Sequence, residues 1–180
     1  MTRKRLTRAF FNRPTLTVAK ELLGKFLVRK IGRKTITAMI TETEAYCGPN
    51  DLASHASRGK TPRTEIMFGP PGHAYIYLIY GMYHCFNIVT EKENYPAAVL
   101  IRAVAPTYRR GNGPVNGPGK LCRYFQIDKS LNNEDLTENK RLWVEDCKTK
   151  IKPNQIRRLP RIGVGYAGSY KDKLWRFFIK

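Results

Sequence analysis

The alternation of hydrophobic and polar residues in the first quarter of the chain predicts one helix followed by two strands. TLTVAKELLG, residues 15–24, places its leucines at helical spacing and ends in Gly24, a typical helix stop. KFLVRKI (25–31) and TITAMITETEAY (35–46) follow, separated by Gly32. Their side chains alternate with a period of two, which predicts a β-hairpin.

Two glutamates end the second predicted strand. By strict alternation, Glu42 and Glu44 share a face with the apolar positions of Ile36–Ile40, so that carboxylates extend an apolar row. One interpretation is that the strand leaves the core near Thr41 and both glutamates are solvated. The other is that Glu44 lies in a partly dry cleft, where burial raises a carboxylate pKa and makes a general base. The strand by itself leaves both open.

The most aromatic stretch, AYIYLIYGMYHCFNIVT (74–90), predicts a second hairpin with its turn at Gly81. Tyr75, Tyr77 and Ile79 alternate onto one face of its first strand. A buried position is expected for Tyr75 or Tyr83, with the hydroxyl hydrogen-bonded at the rim. Tyr80 lies beside the glycine at the tip, so we expect its ring to be exposed.

Two further segments carry candidate functional residues. CGPNDLASHASRGKTPR (47–63) is turn-rich and predicts a loop or short helix that carries His55. AAVLIRAV (97–104) predicts an apolar strand interrupted by Arg102. A guanidinium inside a sheet needs a carboxylate, a phosphate or water in a cleft, and Glu44 or Glu42 is a candidate partner. The alternative is an edge position with the head group in solvent.

The second half of the chain predicts shorter elements. In RRGNGPVNGPGKLCRYF (109–125), Pro118 is a typical first residue of a helix that carries Lys120. Backbone amides at that helix start, with the lysine beside them, suit a phosphate, although such loops are often only connections. Three short strand-like pieces follow: RLWVED (141–146), RIGVGYAG (161–168) and LWRFFIK (174–180).

The net charge says more about the binding partner of this chain than the rest of its composition does. The 180 residues include 33 Lys and Arg against 14 Asp and Glu, which gives a net charge of +19 and a pI near 10.1. Such an imbalance favours a polyanion partner, although ribosomal proteins and proteins that meet acidic membranes share it. The length suits one domain, residues 1–180. With neither a signal-like apolar core nor an apolar run of membrane length, we expect a soluble intracellular protein.

The candidate residues limit the chemistry. The four cysteines lack metal-ligand spacing, so we expect reduced thiols and no metal site. The sequence has no evident metal-binding carboxylate cluster, Walker A loop or GxSxG elbow, which argues against phosphodiester hydrolysis and acyl transfer. One carboxylate that activates water is enough where the leaving group is already activated. Removal of a damaged base from nucleic acid is such a reaction.

Six motifs, in their order along nearly the whole chain, resemble the alkyladenine (3-methyladenine) DNA glycosylase family. They are TETEAYCGP, HASRGKTPR, AYIYLIYGMYHCFNI, VLIRAV, NGPGKLC and RIGVGYAG. The resemblance implies an α+β fold in a single compact domain. It implies a curved, mainly antiparallel sheet with flanking helices and a protruding β-hairpin, similar to the formyltransferase C-terminal domain.

The resemblance also implies a role for each matched position. Glu44 would be the general base that activates water, and Arg102 would hold that water together with a backbone carbonyl at Val164. The walls of the damaged-base pocket would be Tyr46, His55 and Tyr77, and Asn87 would reject the guanine amino group. Tyr80 would intercalate into DNA and fill the gap left by the flipped nucleotide. Lys120 and Arg63 would contact the DNA backbone.

The implied activity is base-excision DNA repair: hydrolytic removal of alkylated purines such as 3-methyladenine from duplex DNA. No lysine occupies a matched nucleophile position, so we expect a monofunctional enzyme that leaves an abasic site. We expect a monomer without cofactor, metal or membrane partner, located with the DNA in a bacterial cytoplasm or a eukaryotic nucleus. The competing hypothesis is a non-catalytic, basic nucleic-acid-binding protein in which Glu44 only forms a salt bridge.

Overall fold

The hairpin predicted in the first quarter of the chain forms the centre of the sheet. In the computed structural model, which describes residues 3–107, 113–148 and 150–180, its strands are β2 (Phe26–Ile31) and β3 (Lys34–Cys47). The 14 residues of β3 pair antiparallel with β2, with β6 (Ala97–Pro106) and with β10 (Arg176–Ile179). The end of β3 is therefore held from both sides.

The other strands extend the sheet in both directions. Within the described residues they are β1 (Lys4–Arg5), β4 (Ala74–Ile79), β5 (Tyr83–Val89), β7 (Val115–Asn116), β8 (Leu142–Asp146) and β9 (Ile156–Leu159). The strand order is β1-β8-β2-β3-β6-β5-β4, with β7 beside β6 and β9 beside β10. All of these pairs are antiparallel, which confirms the predicted α+β class.

In the described ranges, three α-helices cover the sheet and enclose the core. They are α1 (Arg8–Phe11), α2 (Thr15–Glu21) and α3 (Pro118–Phe125). The predicted helix at 15–24 is confirmed as α2, although it ends at Glu21. The helix predicted to begin at Pro118 is confirmed as α3, because the fixed φ of proline suits a first turn. No helix among the described residues is long and apolar enough to cross a membrane.

The core lies between the helices and one face of the sheet. Its largest cluster joins fully buried side chains from α1, α3 and the central strands, among them Phe11, Phe125, Leu27, Ile101 and Phe86. A smaller cluster around Tyr75, with Met67 and Ala98, lies on the side of the sheet where the predicted site residues gather. The sheet thus separates a packed core from the candidate site.

Irregular pairing near the end of β3 decides which face its glutamates take. The register shifts between Ile40 and Glu42 and again between Glu42 and Thr43, opposite Ala103 and Ile101 of β6. Before this point Ile40 packs in the main core, and beyond it Ala45 does so. The prediction that the glutamates extend the apolar row is therefore wrong, because a β-bulge changes the phase of side-chain alternation.

Two strand predictions in the last third of the chain are confirmed and one is wrong. RLWVED and LWRFFIK form β8 and β10, but RIGVGYAG (161–168) is a loop of turns. Gly163, with φ of 77°, breaks the extended conformation there. The strand that precedes the loop, β9, was missed because three of its four residues are exposed and show no alternation. Residues 109–112 of the glycine-rich segment lie outside the described residues.

The aromatic hairpin is formed by β4 and β5, as predicted. Met82 donates its backbone N–H to the Ile79 carbonyl at 3.2 Å, and the two central residues of the turn have positive φ, 53° at Tyr80 and 69° at Gly81. Such a turn favours Asn-Gly, so a bulky tyrosine in the left-handed region is strained. Tyr80 is 83% exposed at the tip, which confirms its predicted position. Tyr83, beside the turn, is 37% exposed, so the prediction of a buried ring is wrong for this residue.

The two aromatic residues Phe86 and Tyr80 give a matched test of this core assignment. Phe86→Ala should lower the free energy of unfolding by about 3–5 kcal/mol, because it leaves a cavity beside a fully buried position. Tyr80→Ala should change it by no more than about 0.5 kcal/mol. Denaturant unfolding followed by circular dichroism measures both. Equal losses in the two variants would contradict the assignment of the core face.

Candidate active site

A cavity of about 580 Å³ opens beside the end of β3 and the aromatic hairpin. It brings together residues that lie far apart along the chain. Eight of the ten predicted site residues line it: Tyr46, His55, Tyr77, Tyr80, Asn87, Arg102, Lys120 and Val164. The other two lie next to it, Glu44 beneath the lining and Arg63 beside Tyr77.

Glu44 is the buried carboxylate of the site, with 0% exposure. Its Oε1 accepts a hydrogen bond from the Ile162 backbone N–H at 2.9 Å, and its Oε2 accepts one from the Tyr46 hydroxyl at 3.0 Å. Burial raises the pKa of Glu44, while Arg102 and these two hydrogen bonds partly offset the effect. The interpretation of a solvated Glu44 is therefore wrong, and the carboxylate has the environment of a general base.

Arg102 links Glu44 to a second carboxylate. Its Nη1 lies 3.5 Å from Glu44 Oε2, and its Nε lies 3.3 Å from Glu42 Oε1 without hydrogen-bond geometry. Arg176 Nη1 donates to the same Glu42 oxygen at 3.1 Å. The Arg102 side chain is only 12% exposed, so the prediction of an acidic partner is confirmed and the solvated edge position is wrong. Both candidate partners contact it.

The aromatic wall is built from β4 and a short 3₁₀ turn. That turn, His55–Arg58, begins after Ser54, whose side chain accepts the Ala56 N–H, and it confirms the predicted loop or short helix. The His55 ring meets the Tyr77 ring edge to face at 4.5 Å, and its Nδ1 lies 3.0 Å from the Tyr75 hydroxyl. Burial, reinforced by two nearby arginines, lowers the pKa of His55 to about 4. The imidazole is therefore neutral near neutral pH.

Two further predicted residues contribute polar groups to the cavity. Asn87 is 3% exposed, and its Nδ2 donates to the Tyr75 carbonyl at 3.1 Å. Val164 is 4% exposed, and its carbonyl accepts the Ala167 N–H at 3.0 Å. A carbonyl oxygen has two lone pairs, so the Val164 carbonyl retains one for another donor.

The rim of the cavity carries exposed cationic and aromatic groups. Lys120 is exposed in the first turn of α3, and the Arg63 guanidinium lies 5.3 Å from the centre of the Tyr77 ring. Gly119 permits the close approach of α3 to β5, because a Cβ there would lie 2.9 Å from the Tyr83 ring. Two exposed cationic side chains therefore lie at the cavity, Lys120 in its lining and Arg63 beside Tyr77.

A buried ion pair that sequence reasoning missed holds the site together. Arg161 donates from Nη1 to Asp51 Oδ2 at 2.6 Å and from Nη2 to Asp51 Oδ1 at 2.9 Å, with both side chains 0% exposed. Arg161 also donates to the Ala45 carbonyl at 2.9 Å. Asp51 in turn accepts the backbone N–H groups of Cys47 and Ala53. The pair thus joins the end of β3, the loop before His55 and the loop at 161–168.

The ion pair also supports an aromatic wall residue. The Arg161 guanidinium lies between two rings, 4.8 Å from the centre of Tyr46 and 5.0 Å from that of Trp175. Removing one partner of a buried pair commonly costs about 3–5 kcal/mol, because the other charge is left uncompensated. Asp51 lies in a turn-rich segment and Arg161 is one of many basic residues, so no local pattern marked either of them.

The arrangement suits one kind of chemistry. A buried carboxylate of raised pKa lies beside a guanidinium, and the adjoining cavity has aromatic walls. These groups can deprotonate and orient a water molecule that attacks an atom held in the cavity. In the described part of the chain, no group of three or more His, Cys, Asp or Glu side chains is placed to hold a metal ion.

Comparisons with known proteins agree with this geometry. The family model described as methylpurine-DNA glycosylase matches residues 9–180. A protein of Methanocella arvoryzae is 49% identical over 97% of this chain and 92% of its own length. Proteins of Desulfitobacterium hafniense and Legionella pneumophila are 45% and 47% identical over 98% of this chain and at least 95% of theirs. All three carry the name 3-methyladenine DNA glycosylase as a provisional assignment. With a match over nearly its full length, the chain belongs to the methylpurine-DNA glycosylase family.

Proposed function

We propose that this protein is a monofunctional DNA glycosylase that removes alkylated purines, such as 3-methyladenine, from duplex DNA and leaves an abasic site. The observation that carries the proposal is the fully buried Glu44 carboxylate, paired with Arg102 beneath an aromatic cavity. Membership in a glycosylase family favours an enzyme over the non-catalytic nucleic-acid-binding protein.

The proposed reaction is a hydrolytic displacement at C1′ of the flipped nucleotide. Glu44 takes a proton from water, and the water oxygen forms a bond to C1′ while the bond from C1′ to the base nitrogen breaks. The base leaves with the electron pair of that bond. Arg102 and the Val164 carbonyl orient the water, which places it without the entropy cost of a random encounter.

The leaving group explains why one carboxylate is enough. A purine alkylated at N3 or N7 is cationic, so it departs as a neutral base and needs no acid to protonate it. This differs from ordinary glycosidases, which use a second carboxyl group as the acid. Glu44 needs no carboxyl partner of this kind, and Glu42 serves instead as a partner of Arg102.

The cavity walls favour the damaged base. Tyr46 and Tyr77 present electron-rich faces, and a cation over such a face gains about 0.5–2 kcal/mol relative to a neutral base. The neutral His55 ring adds no positive charge that would oppose it. In this proposal Asn87, which donates a hydrogen bond to the Tyr75 carbonyl, excludes a purine that carries a guanine amino group.

The hairpin tip and the cationic rim provide the route into the cavity. Extruding a nucleotide costs a few kcal/mol, least for a damaged base. Stacking on aromatic walls returns about 1–3 kcal/mol per base. In this proposal Tyr80 fills the gap in the duplex, while Lys120 and Arg63 contact the flanking phosphates. One glycosylase domain spanning residues 1–180 acts as a monomer, without a cofactor.

The direct test is release of free base. Duplex DNA is treated with a methylating agent and incubated with the protein, and the released purines are separated by chromatography. Release of 3-methyladenine without strand cleavage is the expected result. DNA binding without release of any alkylated base would contradict the enzyme and favour the non-catalytic binder.

Glu44→Gln should slow base release by at least about 100-fold, because an amide cannot accept the proton from water. DNA affinity should change little, since the side chain is buried beneath the cavity. Single-turnover release and fluorescence anisotropy measure the two effects. Glu138→Gln, at an exposed position, is the control and should retain the parent rate. Comparable activity in Glu44→Gln would exclude Glu44 as the base.

Tyr80→Ala should weaken binding to lesion-containing DNA more than binding to undamaged DNA. The reason is that only the flipped complex uses the ring, at about 1–3 kcal/mol for a stacked aromatic group. Competition binding with paired damaged and undamaged duplexes measures the difference. An equal loss on both duplexes would argue against a wedge role.

Salt dependence tests the cationic rim. Binding should weaken steeply as salt rises, because each phosphate that is neutralised releases counterions. Lys120→Ala should reduce the slope of log K against log salt by about 1. Lys30→Ala, at an exposed position on β2, should leave the slope in place. The same change in both variants would mean that charge acts diffusely and not at the rim.

A further inference from the structure

Tyr46 makes a contact that an aromatic wall does not require. Its hydroxyl donates a hydrogen bond to Glu44 Oε2 at 3.0 Å. The two residues stand two positions apart on β3, so their side chains leave the same face of the strand. Tyr46 lines the cavity, whereas Glu44 is covered. The Tyr46 hydroxyl therefore lies at the boundary between the carboxylate and the cavity.

The Tyr46 hydroxyl keeps its proton across the working pH range. Burial, and then the negative charge of Glu44, raises the pKa of Tyr46 well above its ordinary value. Arg161 acts in the opposite direction, from 4.8 Å over the ring. A neutral phenol beside a carboxylate is a hydrogen-bond donor, and a bond to a charged acceptor is stronger than one between neutral groups.

Glu44 accepts one hydrogen bond at each of its two carboxylate oxygens. An ionised carboxylate offers about four acceptor positions. The Ile162 N–H occupies one on Oε1, and the Tyr46 hydroxyl occupies one on Oε2. The remaining positions serve Arg102 and an incoming water. The Tyr46 bond therefore both stabilises the negative charge and fixes the rotation of the carboxylate about its last torsion.

We infer that Tyr46 is a positioning residue for the reaction, whose hydroxyl holds the Glu44 carboxylate ionised and oriented towards the attacking water. The inference rests on the proposed function, since it assigns a second task to a residue of the same site. Stacking against the base uses the ring of Tyr46, and this task uses the hydroxyl. The two tasks are therefore separable by a substitution that removes only the oxygen.

Several charged and titratable groups surround Glu44 and set the background for this test. Arg102 on β6 and Glu42 on β3 act directly, with opposite signs. Tyr77 on β4 and Cys85 on β5 interact with Glu44 from the cavity wall. Behind them, Arg176 contacts Glu42 and Arg161 covers the Tyr46 ring. Tyr46→Phe leaves the ionic charge of every one of these groups unchanged.

The experiment measures the rate of base release against pH for Tyr46→Phe. Release requires the ionised carboxylate, so the rate rises as pH increases through the pKa of Glu44. Removal of a hydrogen bond to the charged form raises that pKa further and moves the acid limb to higher pH by about one unit. On the acid side, the variant should be about tenfold slower than the parent. At the alkaline plateau it should come within a few-fold of the parent rate.

Tyr77→Phe is the matched control, because it removes a hydroxyl from the same cavity. The Tyr77 hydroxyl is hydrogen-bonded with Cys85, not with Glu44. The rate of base release by Tyr77→Phe can differ from that of the parent, but its acid limb should remain at the same pH. A shift of equal size in both variants would overturn the inference, since it would reflect a general change of the cavity.

A Tyr46 variant that retains the hydroxyl should move the acid limb in the opposite direction. Replacement of Tyr46 by a ring-fluorinated tyrosine makes the hydroxyl more acidic and a stronger donor, so the acid limb should move to lower pH. An acid limb that stays at the pH of the parent in both Tyr46 variants would overturn the inference. A parent protein that releases no base would instead contradict the proposed function.

Discussion

The structure depends on keeping one carboxylate out of water. Burial of an ionised group without partners is costly, and Glu44 has no exposed surface. The cost is offset by a backbone N–H, a tyrosine hydroxyl and a guanidinium, all directed at its two oxygens. Burial still has the larger effect, because the pKa of Glu44 remains raised. A base for water activation needs this balance, in which the carboxylate is ionised yet basic enough to take a proton.

The partners of Glu44 come from distant parts of the chain, so their positions need support. The Ile162 N–H lies 118 residues from Glu44 in sequence, and the preceding residue, Arg161, is paired with Asp51. The same ion pair fixes the loop that leads to His55. Arg102 is held from its other side by Glu42, which Arg176 holds in turn. Alternating charges thus fix the groups around Glu44.

The fold buries the proposed catalytic carboxylate and exposes the residues proposed to contact DNA. Glu44, the proposed base, lies where β3, β6 and β10 pair, against a closely packed core. The residues assigned to DNA stand on exposed positions, with Tyr80 on a strained turn and Lys120 on the first turn of a helix. The proposed DNA contacts at the rim tolerate exposure, because a bound duplex would cover them. Function at Glu44 does not, because solvent would lower its pKa towards the ordinary value.

The sequence by itself determined the helix at 15–24, both hairpins, the exposed tip at Tyr80, the helix start at Pro118 and the candidate residues of the cavity. These follow from periodicity, turn chemistry and ordered motifs, which neighbouring residues encode. Only the tertiary structure decided the phase change between Ile40 and Thr43, the loop at 161–168 and the pairing of Asp51 with Arg161. Strict alternation assumes an unbroken ladder, and a bulge depends on the partner strand. An ion pair across 110 residues depends on which segments the fold brings together, and no local pattern records that.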